Sequence, residues 1–290
     1  MLFAAVSILL VACGDDETGE LPADVRPLSS VGVDATAAEL VPASVRRSGT
    51  LVVPMATTYP PNEFFAEDDT TIIGMGADMA RAIGQRLDLD TDLRSVPFDT
   101  IIPGLVDGRY LMAVSSFTDT KEREEEVDMV TYFQAGTGFF TRADGPVELT
   151  GIGDLCGKSV AVPVETIQAD DARAQSDECE SDGKEPVEVE ELPNQTAATE
   201  AVDSGVADVG MADTPVAAYI VKNSEGTLRK IGEDFGVAPY GVAVSKDSKL
   251  APVVQAAVQS LIDDGTYERI LERWGLEKDA ISRSRINAAG

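Results

Sequence analysis

Two charged residues of this chain could grip a small molecule by its two ends. Arg123 closes the run Thr118-Asp119-Thr120-Lys121-Glu122-Arg123, and its planar guanidinium can offer a carboxylate two parallel donors. Asp213, just before Thr214-Pro215, carries the negative charge that a cationic nitrogen needs. Each also has a plainer reading. Arg123 fits a solvated helix residue paired with Glu126 or Asp119. Asp213 fits a helix N-cap, whose second oxygen stays available to a ligand. Composition narrows the catalytic alternatives. The 290 residues include no histidine, which removes Ser-His and Cys-His nucleophile pairs and imidazole metal ligands. Carboxylates, Tyr and Lys remain for acid–base work. There is no P-loop, and Gly74-Met75-Gly76 lacks the third glycine of a dinucleotide fingerprint. No cofactor and no metal is implied.

Charge is the unusual feature of the composition. Against 51 Asp+Glu stand 23 Lys+Arg, a net charge of −28, spread along the whole chain. Such a surface repels phosphate backbones and argues against a nucleic-acid partner. The apolar fraction of 43% provides for a packed core, and the length suits two medium-sized domains.

Residues 1–12 form the apolar run MLFAAVSILLVA, too short for a membrane-spanning helix of about 20 residues. They read as a secretory signal. Leu10-Val11-Ala12-Cys13 resembles the lipobox of bacterial lipoproteins, which implies that Cys13 carries a lipid anchor to the membrane. The competing reading is a buried N-terminal helix ending in a core Cys. Residues 13–44 lack sustained periodicity and read as a flexible tether. With Cys13 lipidated, Cys156 and Cys179 remain as one pair, whose bonding an oxidising compartment favours; two separate buried thiols are the alternative.

The elements that must position Arg123 and Asp213 alternate between strand and helix. Strands are expected over 51–53, 93–96, 111–114, 137–141, 159–163, 187–192, 206–211 and 240–244. Helices are expected between them: Met75, Met79, Ile83 and Leu87 recur every four residues, and Phe98, Ile101, Ile102 and Leu105 follow an i, i+3, i+4, i+7 face. Further helices are expected over 120–126, 167–174, 196–202, 214–221, 252–262 and 267–274. This alternation predicts an α/β fold of two Rossmann-like lobes, with parallel-rich sheets covered by helices. Open α/β sheets bind ligands beyond the C-terminal ends of their strands, so facing lobes can share a cleft.

Six stretches, in order over residues 45–276, resemble the family 3 extracellular solute-binding proteins. They are Leu51-Val52-Val53 with Thr58-Tyr59-Pro60-Pro61; Gly76-Ala77-Asp78-Met79; Pro97-Phe98-Asp99-Thr100-Ile101; Ser115-Ser116-Phe117-Thr118 through Arg123; Asp213-Thr214-Pro215; and Asp264-Gly265-Thr266-Tyr267 with Trp274-Gly275. The resemblance implies a periplasmic-binding-protein type II fold, two lobes joined by two crossover strands. Lobe 1 would comprise 45–140 plus 241–279, lobe 2 residues 141–240, and 280–290 a tail. It implies a monomeric extracytoplasmic receptor that hands a polar amino acid or similar zwitterion to an ABC permease. Arg123, with Thr118 beside it, would take the carboxylate, Asp213 the ammonium, and Tyr59 and Phe98 the side chain; Ser116, in the same stretch, would also bind the ligand. Thr166 and Gln168 would contribute from lobe 2. An enzyme on the same scaffold, a cyclic amino-acid dehydratase, is the alternative. The chain departs from the family pattern at Glu165-Thr166-Ile167, where a Gly opens the motif, and at Gly76, where the motif has Asp. Ala56 replaces the acidic residue of relatives that bind Lys or Arg, which points away from a cationic side chain.

Overall fold

A computed structural model describes residues 31–290. The signal at 1–12 and Cys13 lie outside the described residues. The elements run α1 (Ala35–Glu39), α2 (Ala43–Ser48), β1 (Thr50–Met55), β2 (Thr58–Tyr59), β3 (Glu63–Phe65), β4 (Ile72–Ile73), α3 (Met75–Arg86), β5 (Asp90–Ser95), α4 (Ile101–Val106), β6 (Met112–Thr118) and α5 (Lys121–Glu126). The chain continues through β7 (Val127–Arg142), β8 (Ser159–Pro163), α6 (Ile167–Ser181), β9 (Glu188–Leu192), α7 (Gln195–Asp203), β10 (Val209–Asp213), α8 (Thr214–Asn223), β11 (Leu228–Ser245), α9 (Ala251–Asp263) and α10 (Thr266–Trp274).

The fold is α/β, with two lobes joined by two long strands. β1 pairs in parallel with β5, and β2, β3 and β4 form a small antiparallel sheet. The remaining six strands lie in the order β6-β11-β7-β10-β8-β9. β7 and β11 run antiparallel from Ser245↔Val127 to Leu228↔Arg142. At one end their Val130, Tyr132, Phe133, Tyr240 and Val242 pack with Leu51, Met79 and Leu261. At the other end Phe139 packs with Val160 and Met211, while Phe140 and Leu228 pack with Ala198 and Val216. Each strand therefore serves both cores, which makes the pair a physical hinge between them.

Local sequence explains two helices of the lobe 1 core. Met75, Met79 and Ile83 are fully buried along one face of α3. Tyr267, Ile270 and Leu271 do the same for α10, and Gly275 ends it with φ 69°. Trp274 Nε1 donates to Asp78, tying α10 to α3 at 2.9 Å.

Four segments differ most from expectation. Residues 34–44, read as the end of a tether, instead fold onto lobe 1. Asp34 caps α1 by accepting from the Thr36 and Ala37 N–H groups, and Ala37, Val41 and Val45, spaced by four, are buried in the core. Residues 280–290, read as a tail, dock along β7. Ile286 bridges Val130, Thr131 N–H donates to the Arg285 carbonyl, and Ala288 N–H donates to Asp119 Oδ2. They find this edge because β10 pairs with β7 only between Thr137 and Phe140. Finally, β7 and β11 are far longer than the segments 137–141 and 240–244.

Candidate functional site

A cavity of about 320 Å³ lies between the lobes. Lobe 1 contributes the β1–β2 turn, the β5–α4 turn and the end of β6 with α5. Lobe 2 contributes the loops after β8, β9 and β10. All eight residues singled out from the sequence line it: Tyr59, Phe98, Ser116, Thr118, Arg123, Thr166, Gln168 and Asp213. Among the described lining residues, Arg123 is the single cation and Asp213 the single carboxylate.

Arg123 is placed by its helix start. Thr120 caps α5, its hydroxyl accepting from the Arg123 N–H at 3.2 Å. The guanidinium lies over Phe98 and Phe117, 5.7 and 5.6 Å from the ring centroids. Nη1 donates to the Thr118 carbonyl at 3.0 Å, and Nη2 crosses the cleft to the Glu165 carbonyl at 3.1 Å. The plain reading, a solvated helix Arg paired with Glu126 or Asp119, does not describe this side chain. Phe98 stacks on Phe117 at 4.9 Å, so one face of its ring is packed and the rest borders the cavity.

Asp213 sits at the N-cap position of α8, yet its side chain caps nothing. Pro215 in the first turn needs no such partner. Its Oδ1 instead accepts from Gln168 Nε2 at 2.9 Å, and Oδ2 from the Tyr59 hydroxyl at 2.8 Å. Burial pushes the Asp213 carboxyl above its ordinary range, against the pull of its hydrogen bonds and of Arg123. The Tyr59–Asp213 and Arg123–Glu165 bonds each join one lobe to the other.

Two sequence-identified residues have their polar atoms largely committed within the protein. Gln168 Nε2 donates to both Asp213 and Thr137, so it braces the carboxylate. The Thr166 hydroxyl donates to the Pro163 carbonyl at 2.7 Å and accepts from Ala169 N–H, capping α6. The preceding Glu165 has φ 59°, the left-handed region that favours glycine, at the position where the family pattern has Gly. The backbone turn survives the substitution.

Sequence reasoning missed the neutral polar wall of Thr57, Ser95, Asn194 and Gln195. It also missed Glu63, fully enclosed behind Ser116. Ser116 Oγ donates to the Glu63 carboxylate, 2.9 and 3.1 Å from its two oxygens, and accepts from Asn62 Nδ2 at 3.0 Å. Ser116 itself has φ 51° inside a strand, a strained backbone of the kind that costs ~1–3 kcal/mol and gathers at functional sites. A signal for Glu63 existed in the glycines of α3: a Cβ at position 76 would lie 2.2 Å from Glu63 Oε1.

The sequence profile of the bacterial extracellular solute-binding proteins, family 3, matches residues 51–277. The chain belongs to that family. The arginine-binding protein ArgT of Corynebacterium glutamicum is 33% identical over 249 residues, 86% of this chain and 81% of the relative. A solved ancestral arginine-binding protein bound to arginine superposes with a TM-score of 0.71 at 30% identity, covering 78% of this chain and 98% of the other. A solved ancestral amino-acid-binding protein, a precursor of cyclohexadienyl dehydratase, gives a TM-score of 0.67 at 26% identity, covering 80% and 97%. The fold is therefore the type II periplasmic-binding-protein fold. The protein is an extracytoplasmic solute receptor of the kind that serves ABC importers.

Proposed function

We propose that this receptor captures a polar α-amino acid, with Arg123 and Thr118 holding the carboxylate and Asp213 the ammonium. The observation that carries the reading is the placement of one cation and one carboxylate on opposite lobes of the same cleft. A zwitterion satisfies both charges at once, and the second contact forms only when the lobes meet. The ligand thus binds the closed arrangement better than the open one, and this difference drives closure. Tyr59 and Phe98 border the side-chain compartment. Its neutral polar wall of Thr57, Ser95, Asn194 and Gln195, with Ala56 beside it, best suits an uncharged hydrogen-bonding side chain such as that of glutamine. A second reading, arginine, draws support from the names of the relatives. Lobe 1 as 34–140 plus 241–290 and lobe 2 as 141–240, acting as a monomer held to the membrane through lipidated Cys13, complete the proposal.

Calorimetry of the purified receptor against the twenty amino acids tests it. Binding of glutamine or arginine supports the reading, and failure of every amino acid to bind refutes it. Recovery of the ligand unchanged after long incubation separates the receptor from the dehydratase alternative. Acylated Cys13 in the mass spectrum of protein from its native envelope is the expected result for the anchor, and an intact Met1 there contradicts it.

A further inference from the structure

The group beneath Ser116 has no role in the ligand contacts described so far. Glu63 is fully buried, and among the described residues no Lys or Arg makes an ion pair with it. The charged and titratable groups around it are Asp213 on β10, Tyr59 on β2 and Tyr132 on β7, all acids. On α3, Gly76 gives the carboxylate its room, while Asp78 is committed to Trp274 and Arg273, and Arg81 to Asp78 and the Ile72 carbonyl. Burial, with Asp213 as a further cause, pushes the Glu63 carboxyl up to about 8, so at neutral pH it holds a proton.

The hydrogen-bond count at Ser116 Oγ gives this proton a function. A serine hydroxyl has one proton and two lone pairs. Asn62 Nδ2 uses one lone pair. When Glu63 is ionised it only accepts, so the Ser116 proton goes to it and the second lone pair is left for the cleft. When Glu63 is protonated, its own O–H can donate to that second lone pair. A ligand N–H and the Glu63 proton therefore compete for one acceptor site.

We propose that Glu63 exchanges its proton for the ligand: it holds the proton in the unliganded cleft, and loses it when a cationic nitrogen of the ligand donates to Ser116 Oγ. The inference rests on the amino-acid reading above. In the step, the Glu63 O–H···Oγ bond breaks, the proton leaves to the buffer, and an N–H···Oγ bond forms. The ligand's positive charge then faces two carboxylates, Asp213 directly and Glu63 through the serine. Glu63 is thus a positioning and specificity residue that selects for a cationic nitrogen at this end of the cleft. Because the ionised form binds, affinity rises with pH up to tenfold per unit and levels off above about 8, where the unliganded form is already ionised.

The experiment is calorimetry with L-glutamine and L-arginine in buffers of different ionisation enthalpy, from about pH 6 to about pH 8.5, with the onset of the ligand's own amine titration at the upper end corrected equally for wild type and variant. Wild-type protein is expected to release close to one proton per ligand near pH 7, with Kd falling towards its plateau by pH 8.5. Glu63→Gln is expected to release none and to show a flat Kd over this range. Because burial also raises Asp213, wild-type release supports the inference only together with its loss in Glu63→Gln; where that variant folds poorly, Glu63→Asp replaces it, with a shifted midpoint of release expected. Binding without proton release, or an unchanged pH profile in Glu63→Gln, overturns the inference and leaves the amino-acid reading standing. Absence of binding by any amino acid overturns both.

Discussion

Replacing Arg123 with Met isolates the charge at the carboxylate end of the cleft. Methionine keeps an unbranched stem against Phe98 and Phe117, so the packing beneath the guanidinium is largely preserved. Three polar interactions are lost, with the cation's attraction to the two rings. Two lie within the protein, the bond from Nη1 to the Thr118 carbonyl at 3.0 Å and the cross-cleft bond from Nη2 to the Glu165 carbonyl at 3.1 Å. The third is the partner of the ligand carboxylate. An unpaired charge in a closed interface costs ~2–5 kcal/mol, and at 1.4 kcal/mol per decade Kd should rise from roughly thirty-fold to several thousand-fold. The Glu165 bond contributes little beyond this, because its acceptor is the carbonyl of an exposed residue. Stability of the unliganded protein should change by no more than about 1 kcal/mol, since Thr120 still caps α5. Calorimetry with the best amino-acid ligand measures the first quantity and thermal melting the second. Binding within about threefold of wild type would refute the carboxylate clamp.

Asp213→Asn keeps the shape but removes the negative charge, and should weaken binding by a similar ~2–5 kcal/mol with no loss of stability, since burial already disfavours the ionised carboxyl; calorimetry and melting on one sample check both. If affinity is unchanged, the ligand has no amine at this position. Gly76→Ala places a Cβ 2.2 Å from Glu63 Oε1, and that carboxylate is held by Ser116, so overpacking should cost ~1–3 kcal/mol, offset in part by helix propensity. A fall of a few degrees in melting temperature, with weaker ligand binding, is the expected outcome. The pH dependence of stability has a sign set by Glu63. Its folded carboxyl, at about 8 against 4.5 when exposed, binds more protons than the unfolded one between those values. Stability contributed by this group is therefore lost as pH rises from about 4.5 to 8. Asp119, raised by burial to about 6, acts with the same sign at lower pH. Melting curves of unliganded wild type should shift down over pH 6–8 more than those of Glu63→Gln; parallel shifts would show that Glu63 does not titrate there.

The cleft was legible in the sequence because its residues sit at strand-to-helix junctions, where short motifs survive. Arg123 and Thr118 share one nine-residue stretch with Ser116, and Asp213 immediately precedes a Pro-started helix. The commitment of Gln168 and Thr166 to internal partners was not legible, since hydrogen bonding depends on Thr137 and Pro163 arriving from other segments. Nor was Glu63, which follows Pro60-Pro61-Asn62 in what reads as a polar turn. Its burial depends on α3 bringing two glycines against it; at Gly74, φ 124° and a Cβ that would meet the Asn62 carbonyl at 2.1 Å exclude other residues. The length of β11 was hidden by Gly232, Gly236 and Pro239 and by an exposed middle between two buried ends. Gly232 and Gly236 fall where its register shifts against β7. The docking of 280–290 left no periodic trace, because it depends on backbone hydrogen bonds and single polar contacts rather than an apolar face.

The most direct test of the receptor mechanism is small-angle scattering of wild type and Arg123→Met, with and without a saturating amino acid shown to bind wild type. If the ligand bridges Arg123 and Asp213, wild type should contract on binding, and Arg123→Met should stay extended at the concentration that closes wild type. Contraction of both proteins at the same ligand concentration would contradict the two-ended clamp, because closure would then need no charge at position 123.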